Sequence, residues 1–347
     1  MKLDLRNGDA LELIKTLPDK SVDLVVTDPP YYKVVDEDWD SQWDQFKDFL
    51  KWCDVWFKEV NRVLKDNGSF YVFAMDRYSA FLWIEIEKFN FSLLNEIIWH
   101  KTNHAANKGW HINRSYTPST ERILFFEKKE SQNEWNANGL YGRLDNIARN
   151  YMNKERNKSN VSITDIKHFF NNEMARHYFG NSQWVLPNEQ SYERLKLFIN
   201  AKARGLGTTE ELAKLSTEDL KKLVGNLTFF KADWKDLKEA VDKVRDQYKE
   251  NRRYFKQDEN FQDVWTSSIT GTNEKTYHPT QKPLWMLKRI IKTSCPPDGV
   301  VLDLFMGSGT TGVACKELNR DFIGFELDKK YFEISKKRIE NTHKVSE

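Results

Sequence analysis

The sequence predicts a doubly wound α/β fold, a mostly parallel sheet interrupted by an inserted helical module. Three observations carry this. Apolar, β-branched runs alternate with one-sided helical stripes near both ends of the 347-residue chain. Two of those runs stop at a carboxylate, Val25-Val26-Thr27-Asp28 and Ile323-Gly324-Phe325-Glu326. Between them, from about residue 130 to about 260, the text turns polar, charged and helical without a clear run of strands. The expected organisation is therefore one half of the α/β domain at 1–129, the insert at 130–260 and the second half at 261–347.

Taken in order, Leu3-Asp4-Leu5 leads into Gly8-Asp9, and Ala10 to Ile14 reads as a short helix ending before Pro18. Val22, Leu24, Val25 and Val26 suit a buried parallel strand, which Pro29 and Pro30 cannot continue. An acidic, tryptophan-bearing loop fills residues 33–42. Beyond it Phe46, Phe49, Leu50, Cys53, Trp56, Phe57, Val60, Val63 and Leu64 recur at three- and four-residue steps, the stripe of a helix packed on a sheet. Asp66-Asn67-Gly68 stops it, and Ser69-Phe70-Tyr71-Val72-Phe73 is the next strand. Further strands are expected at 93–99 and 122–126.

In the insert, Thr208 and Ser216 are capping side chains that open two helices. Trp234, Leu237, Val241, Val244 and Tyr248 form an ordinary packing stripe on a longer one. Lys and Arg gather at 154–158, 202–204 and 252–256. The α/β pattern resumes when Gln281-Lys282-Pro283 starts the helix of Leu284, Leu287, Ile290 and Ile291. Residues 299–305 form a buried strand, Met306-Gly307-Ser308-Gly309-Thr310-Thr311 turns into a helix, and a strand ending at Glu326 precedes a last helix from Tyr331.

Composition bounds the function. With 39% hydrophobic and 31% charged residues, the chain reads as a soluble globular protein. No apolar run approaches a membrane span, and Met1-Lys2-Leu3-Asp4 lacks a signal-peptide apolar region. Cys53, Cys295 and Cys315 lie far apart without CxxC spacing, which indicates neither a disulfide framework nor a cysteine zinc site and makes a reduced cytoplasm the expectation. A net charge of +2 decides nothing about nucleic acid, so any polyanion surface must come from local clustering. The 12 Trp and 13 Tyr suit stacking on planar ligands, although a core absorbs such residues too.

Two motifs carry chemistry. Asp28-Pro29-Pro30-Tyr31 ends a buried strand with a charge, two residues without backbone donors, and an aromatic ring. A plain turn fits these residues, and so does a proline-rich ligand motif, although the latter needs an exposed tail. The stretch from Asp303 to Thr311 has the strand, glycine turn and helix layout of a nucleotide pocket, with Glu326 placed to accept ribose hydroxyls. It lacks the Gly-Lys-Ser/Thr of a phosphate loop, while Gly312 leaves a dinucleotide reading open. If the two strands are sheet neighbours, both motifs share one crevice, as group transfer to a flat amine requires.

In this combination and order the motifs resemble the S-adenosylmethionine-dependent DNA amino-methyltransferases, in particular the β-group adenine-N6 enzymes with their Rossmann-like sheet. The resemblance covers nearly all of the chain outside the insert. It rests on Asp28-Pro29-Pro30-Tyr31, Phe305-Met306-Gly307-Ser308-Gly309, Glu326, Gly8-Asp9 and His278-Pro279-Thr280-Gln281-Lys282-Pro283. It implies S-adenosylmethionine as cofactor, contacted by Asp9, Lys282, Asp303, Phe305, Gly307, Ser308, Gly309, Thr310 and Glu326. It further implies that Asp28 and the Pro29 carbonyl accept the two hydrogens of the target amine, that Pro30 stiffens the turn, and that Tyr31 stacks on an extruded base.

DNA is the implied partner, with contacts expected from Lys101, His104, Lys108, Trp110 and Arg114 and with the insert as target-recognition region. β-group relatives are often homodimers, and neither metal nor membrane is implied. Cytosine-N4 methylation is the near alternative, although such members usually carry serine at the position of Asp28. RNA or protein-amide acceptors, for which asparagine there is more usual, a non-enzymatic DNA-binding protein and an NAD dehydrogenase are the other readings. Cytosine-C5 chemistry is set aside because neither Cys53 nor Cys295 sits after a proline as its nucleophile typically does.

Overall fold

The computed structural model describes residues 1–33, 42–102, 118–129, 148–180, 184–257, 261–268 and 281–342. Among them eight segments are extended: β1 (Leu3–Asn7), β2 (Val22–Thr27), β3 (Leu64–Ala74), β4 (Phe91–Lys101), β5 (Thr120–Lys128), β6 (Val264–Ser267), β7 (Val300–Asp303) and β8 (Asp321–Glu326). They join into one sheet in the order β1-β8-β7-β2-β3-β5-β4-β6. Neighbours run parallel except at β5, which is antiparallel to both β3 and β4. The mostly parallel α/β sheet expected from the sequence is the architecture found.

From β2 the chain winds outward through β3. It later returns to the other flank of β2 and winds outward again through β7 and β8. The winding direction therefore reverses between β2 and β7, where Leu24 pairs with Val301 and Val25 with Leu302. Helices diverge from the carboxyl ends of two such strands and leave a crevice there.

Both sheet faces are covered, which is why β2 can carry the consecutive apolar residues Leu24, Val25 and Val26. Val25 and Leu302 face a core with Trp56, Phe57 and Phe70, under the helix Phe46–Val63. Leu24, Val26 and Val301 face the opposite core, built with Met286, Ile290 and Val313 from the helices Leu284–Ser294 and Thr310–Glu317. No helix among the described residues is long and apolar enough to cross a membrane.

Three local expectations needed correction. The helix Phe46–Val63 runs directly into β3 at Leu64, so Asp66-Asn67-Gly68 does not stop it. Those residues form an irregularity inside β3: Val22 pairs with Leu64 but Leu24 with Ser69. Gly68 permits the crowding, since a Cβ there would lie 2.6 Å from Leu64 Cδ1. β4 and β5 extend beyond the expected 93–99 and 122–126 because each satisfies the other's backbone along nearly its whole length. β6, which no sequence pattern marks, is only four residues that pair along the end of β4.

Residues Met1–Asn133 and Arg253–Glu347 form one compact unit, and Glu134–Arg252 form a second. The second is helical where described: Asn150–Lys158, Ile163–Phe170, Glu189–Ala203, Thr209–Ala213, Thr217–Val224 and Trp234–Asn251. It has its own core, in which Phe169 and Phe198 stack 4.0 Å apart and Tyr192, Phe230, Leu237 and Val241 are buried. Thr208 and Ser216 cap the helices they were expected to open. Buried Asn200 accepts the Thr228 and Phe229 amides, pinning a loop that offers no regular backbone partners.

Candidate active site

β2 delivers Asp28 to the crevice. Its Oδ1 accepts the Tyr31 hydroxyl at 2.7 Å and its Oδ2 accepts the Lys282 ammonium at 2.5 Å. Lys282 stands just before the helix Leu284–Ser294, and its Nζ also lies 3.4 Å from Glu121 Oε2 on β5. Glu121 Oε1 in turn pairs with Lys101 at the end of β4. Charges thus alternate along a buried row, Asp28, Lys282, Glu121, Lys101. Burial pushes the Asp28 carboxyl above the usual carboxylate range, and the Lys282 ammonium holds part of that rise back. Burial acts likewise on Glu121, but Lys282 and Lys101 outweigh it and leave this carboxyl below its ordinary value. For Lys282, burial disfavours the charge, and Asp28 and Glu121 more than restore it.

β7 delivers Asp303, whose oxygens are committed to the chain itself. Oδ1 accepts the Thr27 hydroxyl at 2.9 Å and the Phe305 amide at 3.2 Å; Oδ2 accepts the Thr311 hydroxyl at 2.6 Å. Thr27 Oγ1 also accepts the Leu304 amide at 3.2 Å. The last residue of β2 and the turn after β7 are therefore stitched together, and Asp303 works as a bracket for the turn. Burial pushes its carboxyl up to about 6, against the three hydrogen bonds that favour the charge.

The turn itself needs glycine. Gly307 and Gly309 have φ of 49° and 77°, and a Cβ on Gly309 would meet Ser335 Cβ at 2.8 Å. The Gly307 amide donates to Glu326 Oε2 at 2.7 Å and the Asp328 amide to Oε1 at 2.9 Å. Burial still lifts the Glu326 carboxyl above its ordinary value. Ser308 and Thr310 share a 3.0 Å hydrogen bond, and Arg338 donates to the Ser308 carbonyl and the Thr310 hydroxyl. Asp9 caps the helix Ala10–Leu13 through the Leu11 amide, and the Gly8 amide reaches the Glu326 carbonyl at 3.0 Å.

All of this surrounds one cavity of about 690 Å³. Asp28, Pro29, Pro30 and Tyr31 line it together with Asp9, Lys282, Asp303, Phe305, Gly307, Ser308, Thr310 and Glu326. Gly309 does not line it; it lies under the turn against Ser335. The ring of Tyr31, expected to lie open for stacking, is nearly buried, and its hydroxyl is held by Asp28. Lys101, expected to reach DNA, instead has a side chain only 13% exposed and paired with Glu121. His104, Lys108, Trp110, Arg114 and His278-Pro279-Thr280 lie outside the described residues.

Several basic residues of the insert are likewise engaged. Arg156 lies over the Phe179 ring, Lys158 pairs with Glu155, and Arg204 donates to the Val224 carbonyl. Two participants were not anticipated. Trp52 stands one step off the apolar stripe of its helix, lines the cavity and packs 5.5 Å from Phe305. Glu121 had a readable signal, a carboxylate just before the apolar run of β5.

The cavity chemistry discriminates among ligands. Its wall carries the carboxylates of Asp9, Asp28, Asp303, Glu326 and Asp328, against the ammonium groups of Lys282 and Lys329. Lys282 is already committed to two acids. Such a wall repels a pyrophosphate and suits a cationic nucleoside, with the apolar rings of Trp52 and Phe305 available to a base. The carboxylate, glycine turn and aromatic pair fit S-adenosylmethionine, which carries a sulfonium, an ammonium, ribose hydroxyls and adenine. Among the described residues no cluster of three or more His, Cys, Asp or Glu side chains is arranged to hold a metal.

Comparison with known proteins agrees with this geometry. A family model for DNA methylases of the N6/N4 methyltransferase type matches residues 22–337. The Type II methyltransferase M.HinfI of Haemophilus influenzae is 25% identical over 346 residues, covering 96% of this chain and 67% of that protein. M2.DpnII of Streptococcus pneumoniae is 26% identical, over 98% of this chain and 90% of that one. Two solved structures share the fold at a TM-score of 0.51. They are an M1.HpyAVI–SAM complex, 22% identical over 97% of this chain and 98% of that one, and the cytosine-N4-specific PvuII DNA methyltransferase, 16% identical over 97% and 86%.

Proposed function

The chain belongs to the DNA methylase family of N6 and N4 amino-methyltransferases and is an S-adenosylmethionine-dependent enzyme of that family, and we propose that its target is the N6 amine of adenine. The choice of adenine rests on the carboxylate of Asp28, where cytosine-N4 members usually carry serine, and one observation supports the transfer chemistry. The Asp28-Pro29-Pro30-Tyr31 turn and the Gly307 turn with Glu326 face the same cavity where β2 and β7 diverge, tied by the Thr27–Asp303 hydrogen bond.

When bound, S-adenosylmethionine supplies a methyl group on an electron-poor sulfur. Glu326 and Asp9 hold its ribose and adenine end, with Trp52 and Phe305 as flanking rings. Asp28 and the Pro29 carbonyl accept the two hydrogens of the exocyclic amine. They thereby favour a pyramidal nitrogen whose lone pair, otherwise delocalised into the ring, points along the transfer direction. Proline at 29 and 30 keeps a carbonyl, and no competing amide donor, against that amine. An ionised carboxylate offers only acceptors, and Lys282 favours that ionised state in a buried site. Since a duplex hides the amine, the base is extruded into the pocket. The helical unit Glu134–Arg252, which has a core independent of the sheet, is assigned to target recognition.

Incubation of the protein with duplex DNA and S-adenosylmethionine labelled in its methyl group, followed by nucleoside analysis, is the test. Label should appear in N6-methyladenine; label confined to cytosine would transfer the assignment to N4 chemistry.

A further inference from the structure

The buried row of charges contains one acceptor without a hydrogen bond. Glu121 Oε2 is inaccessible to solvent and meets Lys282 Nζ only as a 3.4 Å ion pair, without hydrogen-bond geometry to any of the described residues. Its companion oxygen is fixed by Lys101, so the carboxylate is held in place. The ammonium meanwhile sits 2.5 Å from Asp28 Oδ2, between the rings of Phe73 and Tyr31, whose centroids are 5.1 and 5.6 Å from Nζ. Pro283 fixes the backbone immediately after Lys282, with φ of −65°. A change of partner therefore requires side-chain rotation alone, moving Nζ by less than about 1 Å to reach hydrogen-bond distance from Glu121.

We infer that Glu121 is a positioning residue for methyl transfer: it receives the Lys282 ammonium when the target amine arrives at Asp28. This rests on the methyltransferase reading and adds a role that reading does not assign. In the resting site Lys282 neutralises Asp28, and a buried carboxylate without that partner is costly. The same ammonium weakens Asp28 as an acceptor for the incoming N–H groups. Handing it to Glu121 resolves the conflict, because the cation stays in the site while the Asp28 oxygen turns to the base. No covalent bond forms or breaks, and Lys282 keeps its proton throughout.

Single-turnover methyl transfer to duplex DNA, measured with S-adenosylmethionine affinity, tests the inference. Glu121→Gln removes the receiving charge and should slow transfer by about tenfold or more, with cofactor affinity changed less than about twofold. In a Lys282→Met background the handover no longer exists, and Glu121 remains only as a like charge near Asp28. There Glu121→Gln should leave the rate unchanged or raise it, a reversal that a purely structural role would not produce. Equal losses in the two backgrounds, or no loss in the first, overturn the inference. If Glu121→Gln does not fold, Glu121→Asp keeps the charge but withdraws it by one methylene; it should still lose about fivefold, and an undiminished rate counts against the handover. Absence of label with the unsubstituted protein would instead refute the methyltransferase reading itself.

Discussion

The bond that ties the two halves of the site is open to direct perturbation. Thr27→Val keeps the side-chain shape and removes the hydroxyl that donates to Asp303 and accepts from the Leu304 amide. Losing a buried hydrogen bond to a carboxylate costs about 1.5–3 kcal/mol, and orphaning a buried amide adds about 1 kcal/mol, giving about 2.5–4 kcal/mol in all. Thr27→Ser retains both bonds and should lose only the transfer free energy of a methyl group, about 1 kcal/mol. Urea unfolding of the three proteins gives the stability order, and calorimetric titration with S-adenosylmethionine reports the turn after β7. Thr27→Val should be the least stable and should bind the cofactor more weakly, because Asp303 then holds the turn with one contact fewer. Equal stability of the Val and Ser variants, within about 0.5 kcal/mol, would show that the stitch is not what joins the halves.

Asp28→Ala should reduce methyl transfer to background while leaving S-adenosylmethionine and DNA binding largely in place; an undiminished rate would remove Asp28 from catalysis. Asp303 is protonated more readily in the folded chain, near pH 6, than its ordinary value of 3.8, so the folded state binds the extra proton and stability falls as pH rises from about 4 to about 6. Relative to the unsubstituted protein, Asp303→Asn should lack that decline, worth about 3 kcal/mol across the window, when urea midpoints are compared at several pH values. Trp52→Ala should weaken S-adenosylmethionine binding by about three- to tenfold in calorimetry, the worth of one aromatic contact, and unaltered affinity would place the nucleobase elsewhere. Gly309→Ala forces a side chain into a φ of 77° and against Ser335, so a loss of about 1–3 kcal/mol is expected on urea unfolding.

The legible parts of this protein are the local ones. An apolar run ending at Asp28, prolines that forbid its continuation, and glycines where the backbone must turn left-handed at 307 and 309 are each set by the chemistry of a few adjacent residues. The same holds for the caps at Thr208 and Ser216 and for the apolar stripe of Phe46–Val63. Other features are set by partners distant in sequence. The extent of β4 and β5 and the existence of β6 depend on hydrogen bonds to other strands, which no local pattern announces.

The sequence by itself therefore determined two cavity-facing turns, their residue types and the α/β class of the sheet that carries them. Only the tertiary structure decided that β7 lies beside β2, that Lys282 reaches Asp28 across 254 positions, and that β5 and β4 add Glu121 and Lys101 to the same row, where Lys101 pairs with Glu121 and leaves the surface role its position suggested. The physical reason is that backbone conformation follows near neighbours, whereas the partner, burial and ionisation of a charged side chain depend on whichever segments the fold packs around it.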